Sequence, residues 1–243
     1  MVRLFGFRNQ EETLPIVPSQ NILYGLHDIG AYSPLVLRRY YETIGFFGNI
    51  NDSNRAFPAD ISFLKSHLPL LRALGVSHIL STHPLNLHGF ELLSEDDRAK
   101  VYLYRNKFNS GRAFFVSQFE TFQDWKSLKK RFLELDFDPR ETLLIEIQAL
   151  KGLTPPPSSR VSKVVLKPLE VRPSLERWVV ETKQAGFFVL MNCDYPGWRA
   201  TVDRHETQII KAYGVFQAVY LPRAGNYEIE FRYYSHIGID IFR

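Results

Sequence analysis

An α+β fold is predicted, with an N-terminal mixed α/β domain followed by a C-terminal antiparallel β-sandwich of jelly-roll-like type. Three observations predict it. From Gly186 to Tyr233 short alternating segments are separated by turn residues. Before position 152, apolar residues fall at three- and four-residue steps between short apolar runs. Between the two patterns stand three consecutive prolines, Pro155 to Pro157, which favour an extended conformation and resist both helix and central strand. The expected organisation is therefore a mixed α/β domain over 1–152, a Pro-rich linker over 153–160 and a β-sandwich domain over 161–243.

The elements follow in order. Val2 to Phe7 suits a short strand, and Asn21 to Tyr32 is glycine-punctuated and irregular. Ser33 and Pro34 precede Leu35, Val36, Leu37, Tyr40, Tyr41 and Ile44 at helical spacing, with serine as N-cap and proline at the first helical position. Residues 45–59 read as loop. Asp60 can cap a second helix carrying Ile61, Leu64, Leu68, Leu71 and Leu74, which ends at Gly75 and is kinked or divided by Pro69. A strand over Val76 to Leu80 and a hairpin turning across Ser94 to Asp97 come next, then a strand over Arg112 to Val116. Asp124 caps a helix to Leu135 with Trp125, Leu128, Phe132 and Leu135 inward, and Leu143 to Ile147 is a further strand.

Beyond the prolines, seven strands are expected, over 161–171, 175–183, 186–193, 198–203, 207–211, 215–221 and 226–233. Asp194-Tyr195-Pro196-Gly197 has the proline and glycine order of a type II turn. Tyr227, Ile229, Phe231 and Tyr233 alternate with Glu228, Glu230 and Arg232, so one strand face is core and the other is water.

Composition bounds the function. The chain has 243 residues, 45% hydrophobic and 23% charged, which is ordinary globular usage. Its 30 basic and 26 acidic residues are interspersed without a polybasic block, which argues against a nucleic-acid partner. One cysteine, Cys193, leaves no intramolecular disulfide. The longest apolar run, Phe187 to Cys193, is far short of the roughly 20 residues that span a bilayer. Taken alone, the chain reads as soluble and untargeted.

Chemistry-bearing patterns are sparse. Cys193 precedes a carboxylate at a strand end, a poor setting for a thiolate. His78, His83 and His88 are five apart, off a common helical face and without an acidic or cysteine partner, so no metal site is expected. His27 and Asp28 are adjacent and point apart, and no phosphate loop, nucleophile elbow or zinc signature occurs. No cofactor and no catalytic residue are assigned. The remaining candidates are turn residues that could hold a sugar: Asp194, Tyr195, Trp198, Arg199 and Tyr213. Against them stands the core reading, in which Trp198 opens a strand with its ring inward and Tyr195 beside it.

Several phrases occur in one order: Asn21-Ile-Leu-Tyr-Gly-Leu-His-Asp-Ile-Gly-Ala-Tyr, Leu74-Gly-Val-Ser-His-Ile-Leu-Ser, Gly111-Arg-Ala-Phe-Phe-Val, Asp194-Tyr-Pro-Gly-Trp with Val202-Asp203, Ala212-Tyr-Gly-Val-Phe-Gln-Ala-Val, Leu221-Pro-Arg-Ala-Gly and Ile229-Glu-Phe-Arg-Tyr. Together they resemble the C-terminal extracytoplasmic region of YfhO-like bacterial membrane proteins, which are related to the GT-C glycosyltransferases. The resemblance covers almost the whole chain. It implies a non-catalytic domain on the extracytoplasmic face of the cytoplasmic membrane, assisting cell-envelope glycosylation from polyprenyl-phosphate sugars. The partners it implies are a transmembrane portion of the same polypeptide and an envelope glycan or lipid-linked sugar. The superfamily's catalytic acid lies in the membrane part, so no catalytic residue carries over. Two departures concern turns: Asp203 is followed by Arg204-His205-Glu206 where the family has glycine, implying a different or longer hairpin, and Gly111 stands where proline is usual. Two alternatives remain open, a stand-alone carbohydrate-binding β-sandwich and a soluble glycan hydrolase using Asp28, Asp194 or Asp203.

Overall fold

The computed structural model describes residues 3–7, 27–29, 37–44, 65–109, 111–134, 137–153 and 163–234. It is built mostly of β-sheets, and its contacts divide the chain into two compact units, Met1–Arg112 and Ala113–Arg243.

The first unit contains β1 (Arg3–Phe7), β2 (His27–Asp28), α1 (Arg38–Ile44), α2 (Leu68–Ala73), β3 (His78–Ser81), β4 (Phe90–Asp96) and β5 (Val101–Asn106). Its five-stranded sheet has the order β2-β1-β3-β5-β4, with β1 parallel to β2 and β3, and β5 antiparallel to β3 and β4. The periodicity expected from Asp60 becomes α2 behind a turn at His67. Pro69 sits in the first turn of α2, where its missing N–H costs no helical bond. Leu68, Leu70, Leu71 and Ala73 are buried. At the other end the Val76 N–H reaches the Leu71 carbonyl at 3.1 Å, and Gly75 takes φ +70°, the left-handed exit expected of glycine. In the β4–β5 hairpin, the Asp96 carboxylate accepts from the N–H groups of Arg98 and Ala99 at 2.9 and 3.0 Å. The turn therefore starts at Asp97, three residues later than the expected Ser94 start. The Ser33 and Asp60 caps lie outside the described residues.

The second unit begins with β6 (Ala113–Val116), β7 (Gln118–Phe122), α3 (Trp125–Phe132), β8 (Thr142–Glu146) and a 3₁₀ turn at Ile147–Leu150. It continues with β9 (Val165–Arg172), β10 (Leu175–Thr182), β11 (Gly186–Cys193), β12 (Trp198–Val202), β13 (His205–Thr207), β14 (Ile210–Ala212), β15 (Phe216–Leu221) and β16 (Gly225–Tyr233). One sheet is five-stranded, β13-β12-β16-β10-β9; the other is six-stranded, β6-β11-β15-β14-β8-β7. All neighbours are antiparallel except β7 and β8. Inward residues of both sheets form one apolar core: Phe188, Leu190, Val219 and Leu221 from the six-stranded sheet, and Val180, Ala200, Ile229 and Phe231 from the five-stranded one. The expected alternation of β16 holds, with Tyr227, Ile229 and Phe231 buried.

Four sequence expectations meet a different arrangement. Strands on both sides of 153–160 share the six-stranded sheet, since β8 before that stretch pairs with β14 after it, and the two units part between Arg112 and Ala113. Ladder hydrogen bonds across the proline stretch outweigh its composition as a boundary signal; residues 154–160 lie outside the described ones. The strand expected over 207–211 is two, because β13 belongs to one sheet and β14 to the other. The chain crosses between sheets at Gln208, whose side-chain amide donates to the Ala149 carbonyl. Next, the Asp203 hairpin is not longer: Val202 pairs with His205, so Asp203 and Arg204 form a two-residue loop with φ +50° and +67°, the pattern of a type I′ turn. Finally, α3 stops at Phe132; Asp124 caps it through a 2.8 Å bond from the Ser127 N–H.

Among the described residues, no helix is long and apolar enough to cross a membrane.

Candidate surface beside the Asp194–Trp198 turn

The turn between β11 and β12 holds Asp194 and Tyr195, and Trp198 and Arg199 open β12. The Trp198 N–H donates to the Tyr195 carbonyl at 3.2 Å, closing the reversal. Gly197 has φ +110°, and a Cβ built there would stand 2.5 Å from the Tyr234 carbonyl oxygen and 2.8 Å from the Tyr233 ring. The Gly197 carbonyl accepts from the Tyr234 N–H at 2.8 Å. Glycine is thus required twice, for its dihedral and for close approach of the end of β16.

That clamp sorts the candidates. Trp198 packs against the shared core and lies 5.6 Å, centroid to centroid, from the Tyr233 ring, so the core reading holds for it in part. Tyr195 is 43% exposed and Tyr234 is 51% exposed. Arg199 points outward on β12 with its guanidinium 5.2 Å from the Tyr234 ring centroid, within cation–π range.

Asp194 is half-buried, and its Oδ2 is 3.5 Å from Lys211 Nζ. Burial pushes its carboxyl above the ordinary aspartate range, against the pull of Lys211. Lys211 is the register partner of Gln217, whose side chain is fully buried and whose amide nitrogen and oxygen find no hydrogen-bond partner among the described residues.

Tyr213 does not belong to this surface. It is fully buried against Phe132 and Phe137, and its hydroxyl donates to the Pro139 carbonyl. Burial, with Asp138 adding to it and Arg140 opposing, holds the phenol well above its ordinary pKa. No ligand can reach a side chain with no exposed surface. Its backbone explains the placement: Tyr213 and Gly214 have φ +51° and +70°, and the Val215 N–H closes on the Ala212 carbonyl at 3.0 Å. The result is a tight β14–β15 hairpin that folds the ring back against α3.

The other chemistry-bearing residues are held apart. Asp203 accepts from the Glu228 N–H at 2.8 Å at its hairpin, while Asp194 faces Lys211; the two carboxylates are committed to different partners. His78 Nδ1 lies 2.9 Å from Ser77 Oγ, His83 Nδ1 lies 3.0 Å from Thr82 Oγ1, and His88 stacks on Phe108 at 5.6 Å. Burial first, and Arg105 second, lower the His78 pKa. Cys193 is half-buried at the end of β11. Among the described residues, no group of three His, Cys, Asp or Glu side chains could hold a metal ion.

No known protein family, curated protein or solved structure matches this chain.

Sequence reasoning missed Tyr234 and Lys211. Tyr234 follows the alternating run by one residue and extends its outward set, so period-2 counting from Glu228 reaches it. Lys211 carries no local signal; its proximity to Asp194 comes from the pairing of β14 with β15.

Proposed function

We propose that this chain is a non-catalytic extracytoplasmic module of a YfhO-like membrane protein of glycosyltransferase type, positioning an acceptor polymer or lipid-linked sugar during cell-envelope glycosylation. The observation that carries the reading is the ordered series of phrases from Asn21 to Tyr233. Support comes from where the best of them fall. Asp194-Tyr-Pro-Gly-Trp makes the clamped turn, Ala212-Tyr-Gly-Val-Phe makes the β14–β15 hairpin, and Ile229-Glu-Phe-Arg-Tyr supplies inward residues of β16.

With this reading goes the architecture of a mixed α/β unit followed by a β-sandwich, supported by the core that two sheets share. The parallel β7–β8 pair departs from an all-antiparallel jelly roll. The surface offered to a glycan is Tyr195, Arg199 and Tyr234, because exposed tyrosine rings can stack on the C–H face of a sugar. Deleting the gene in its native host and analysing envelope polymers by mass spectrometry tests the proposal. Loss of sugar substituents, restored by the complete gene, is expected; unchanged decoration overturns it.

The exposed tyrosines also favour a second reading, a stand-alone carbohydrate-binding module. It expects glycan binding by the isolated chain that Tyr195→Ala abolishes, with normal envelope decoration in the deletion strain.

A further inference from the structure

The outward face of the five-stranded sheet carries an imbalance beside the same turn. Strand alternation sends Ala200, Ile229 and Phe231 into the core and Arg199, Glu230 and Arg232 to the opposite face. Arg199 and Arg232 are register partners on β12 and β16. Side chains so opposed have Cβ atoms about 5 Å apart, and like charges there are destabilising. Glu230 accepts from Arg232 Nε at 2.9 Å, and Glu170 also acts on Arg232 electrostatically. Arg199 instead lies against the ring of the exposed Tyr234.

The row continues across the sheet. Leu175 is the other partner of Arg232 and is itself paired with Arg172. Glu170 serves both Arg172 and Arg177, each at 2.8 Å. Among the described residues, two carboxylates, Glu170 and Glu230, thus pair with Arg172, Arg177 and Arg232, while Arg199 lies against Tyr234.

From this arrangement we infer that Arg199 and Arg232, with Tyr234, form a subsite for the anionic group of an acidic saccharide. A guanidinium presents paired donors that match the oxygens of a carboxylate or phosphate, and an anion between Arg199 and Arg232 removes their mutual repulsion. The exposed rings of Tyr234 and Tyr195 give the sugar a stacking surface, which a bare anion does not use. The inference rests on the reading of this turn as a glycan-contacting surface and adds the charge of the glycan.

Calorimetric titration of the full chain tests it with four probes: methyl glucuronide, methyl glucoside, glucose 1-phosphate and inorganic phosphate. The glucuronide or the sugar phosphate is expected to bind about tenfold more tightly than the glucoside, one charge-assisted contact being worth roughly that factor. Whichever binds more tightly identifies the anion. The advantage disappears in Arg199→Gln, an exposed position, and it shrinks as salt is raised. Equal binding of glucoside, glucuronide and sugar phosphate overturns the anionic subsite and leaves the glycan-contact reading standing. Inorganic phosphate binding as tightly as the sugar phosphate, with Tyr234→Ala indifferent, overturns the saccharide. Failure of every probe to bind overturns the subsite, while the envelope analysis decides the broader reading by itself.

Discussion

Tyr213 shows how far a side chain's role depends on one backbone dihedral. Its type and its place before a glycine fit a sugar-stacking turn residue, but φ +51° turns the ring into the core beside Phe132. Tyr213→Phe is therefore expected to leave the glycan contact proposed for Tyr195, Arg199 and Tyr234 untouched. It removes the donor to the Pro139 carbonyl, a buried group left unsatisfied at a cost of about 1–2 kcal/mol, read as a lower denaturant midpoint. Asp194 makes a pH prediction. Its folded-state pKa is raised by burial, so the folded chain binds more protons than the unfolded one between the two pKa values. The stability that protonated Asp194 contributes is fully present below the unfolded pKa of about 4 and is lost as pH rises through the folded value. Wild type should accordingly lose stability relative to Asp194→Asn over that rise, in chemical denaturation at stepped pH. A difference that stays constant with pH would contradict the raised pKa.

At the scale of elements, turn chemistry was legible where glycine and proline announce it and hidden where ordinary residues take glycine's dihedrals. The Asp194–Gly197 reversal and the Gly75 helix exit follow from their residues. The β12–β13 hairpin does not, because Arg204 occupies φ +67°, a region costing a residue with a Cβ about 1–2 kcal/mol. Arg204→Gly relieves that strain against the entropy glycine adds to the unfolded chain, roughly 0.5–1 kcal/mol. A net gain of about 0.5–1 kcal/mol is expected, measured as a raised thermal midpoint. The division of 207–211 into two strands was equally hidden: its residues suit a strand throughout, and sheet membership on either side of Gln208 is set by partners distant in sequence.

For the whole molecule, the informative test is where to cut. A fragment starting at 153 discards β6, β7 and β8, leaving β11 and β14 each without a neighbour and exposing Phe187 and Phe188, both fully buried in the complete chain. It is expected to aggregate or to bind a hydrophobic dye without a cooperative melt. A fragment covering Ala113–Arg243 keeps both sheets and their shared core, and a single cooperative transition by circular dichroism is expected. Cooperative folding of the shorter fragment would restore the proline stretch as the boundary.

By itself the sequence determined the local grammar: the alternation of β16, the Asp124 cap and the proline-glycine turn at Pro196 and Gly197. These are short-range consequences of side-chain period, dihedral preference and capping chemistry. Only the tertiary structure decided which strands share a sheet, that Tyr213 faces inward, and that Arg199, Arg232 and Tyr234 meet outside. Sheet pairing joins residues dozens of positions apart, and no local preference encodes the partner across the ladder.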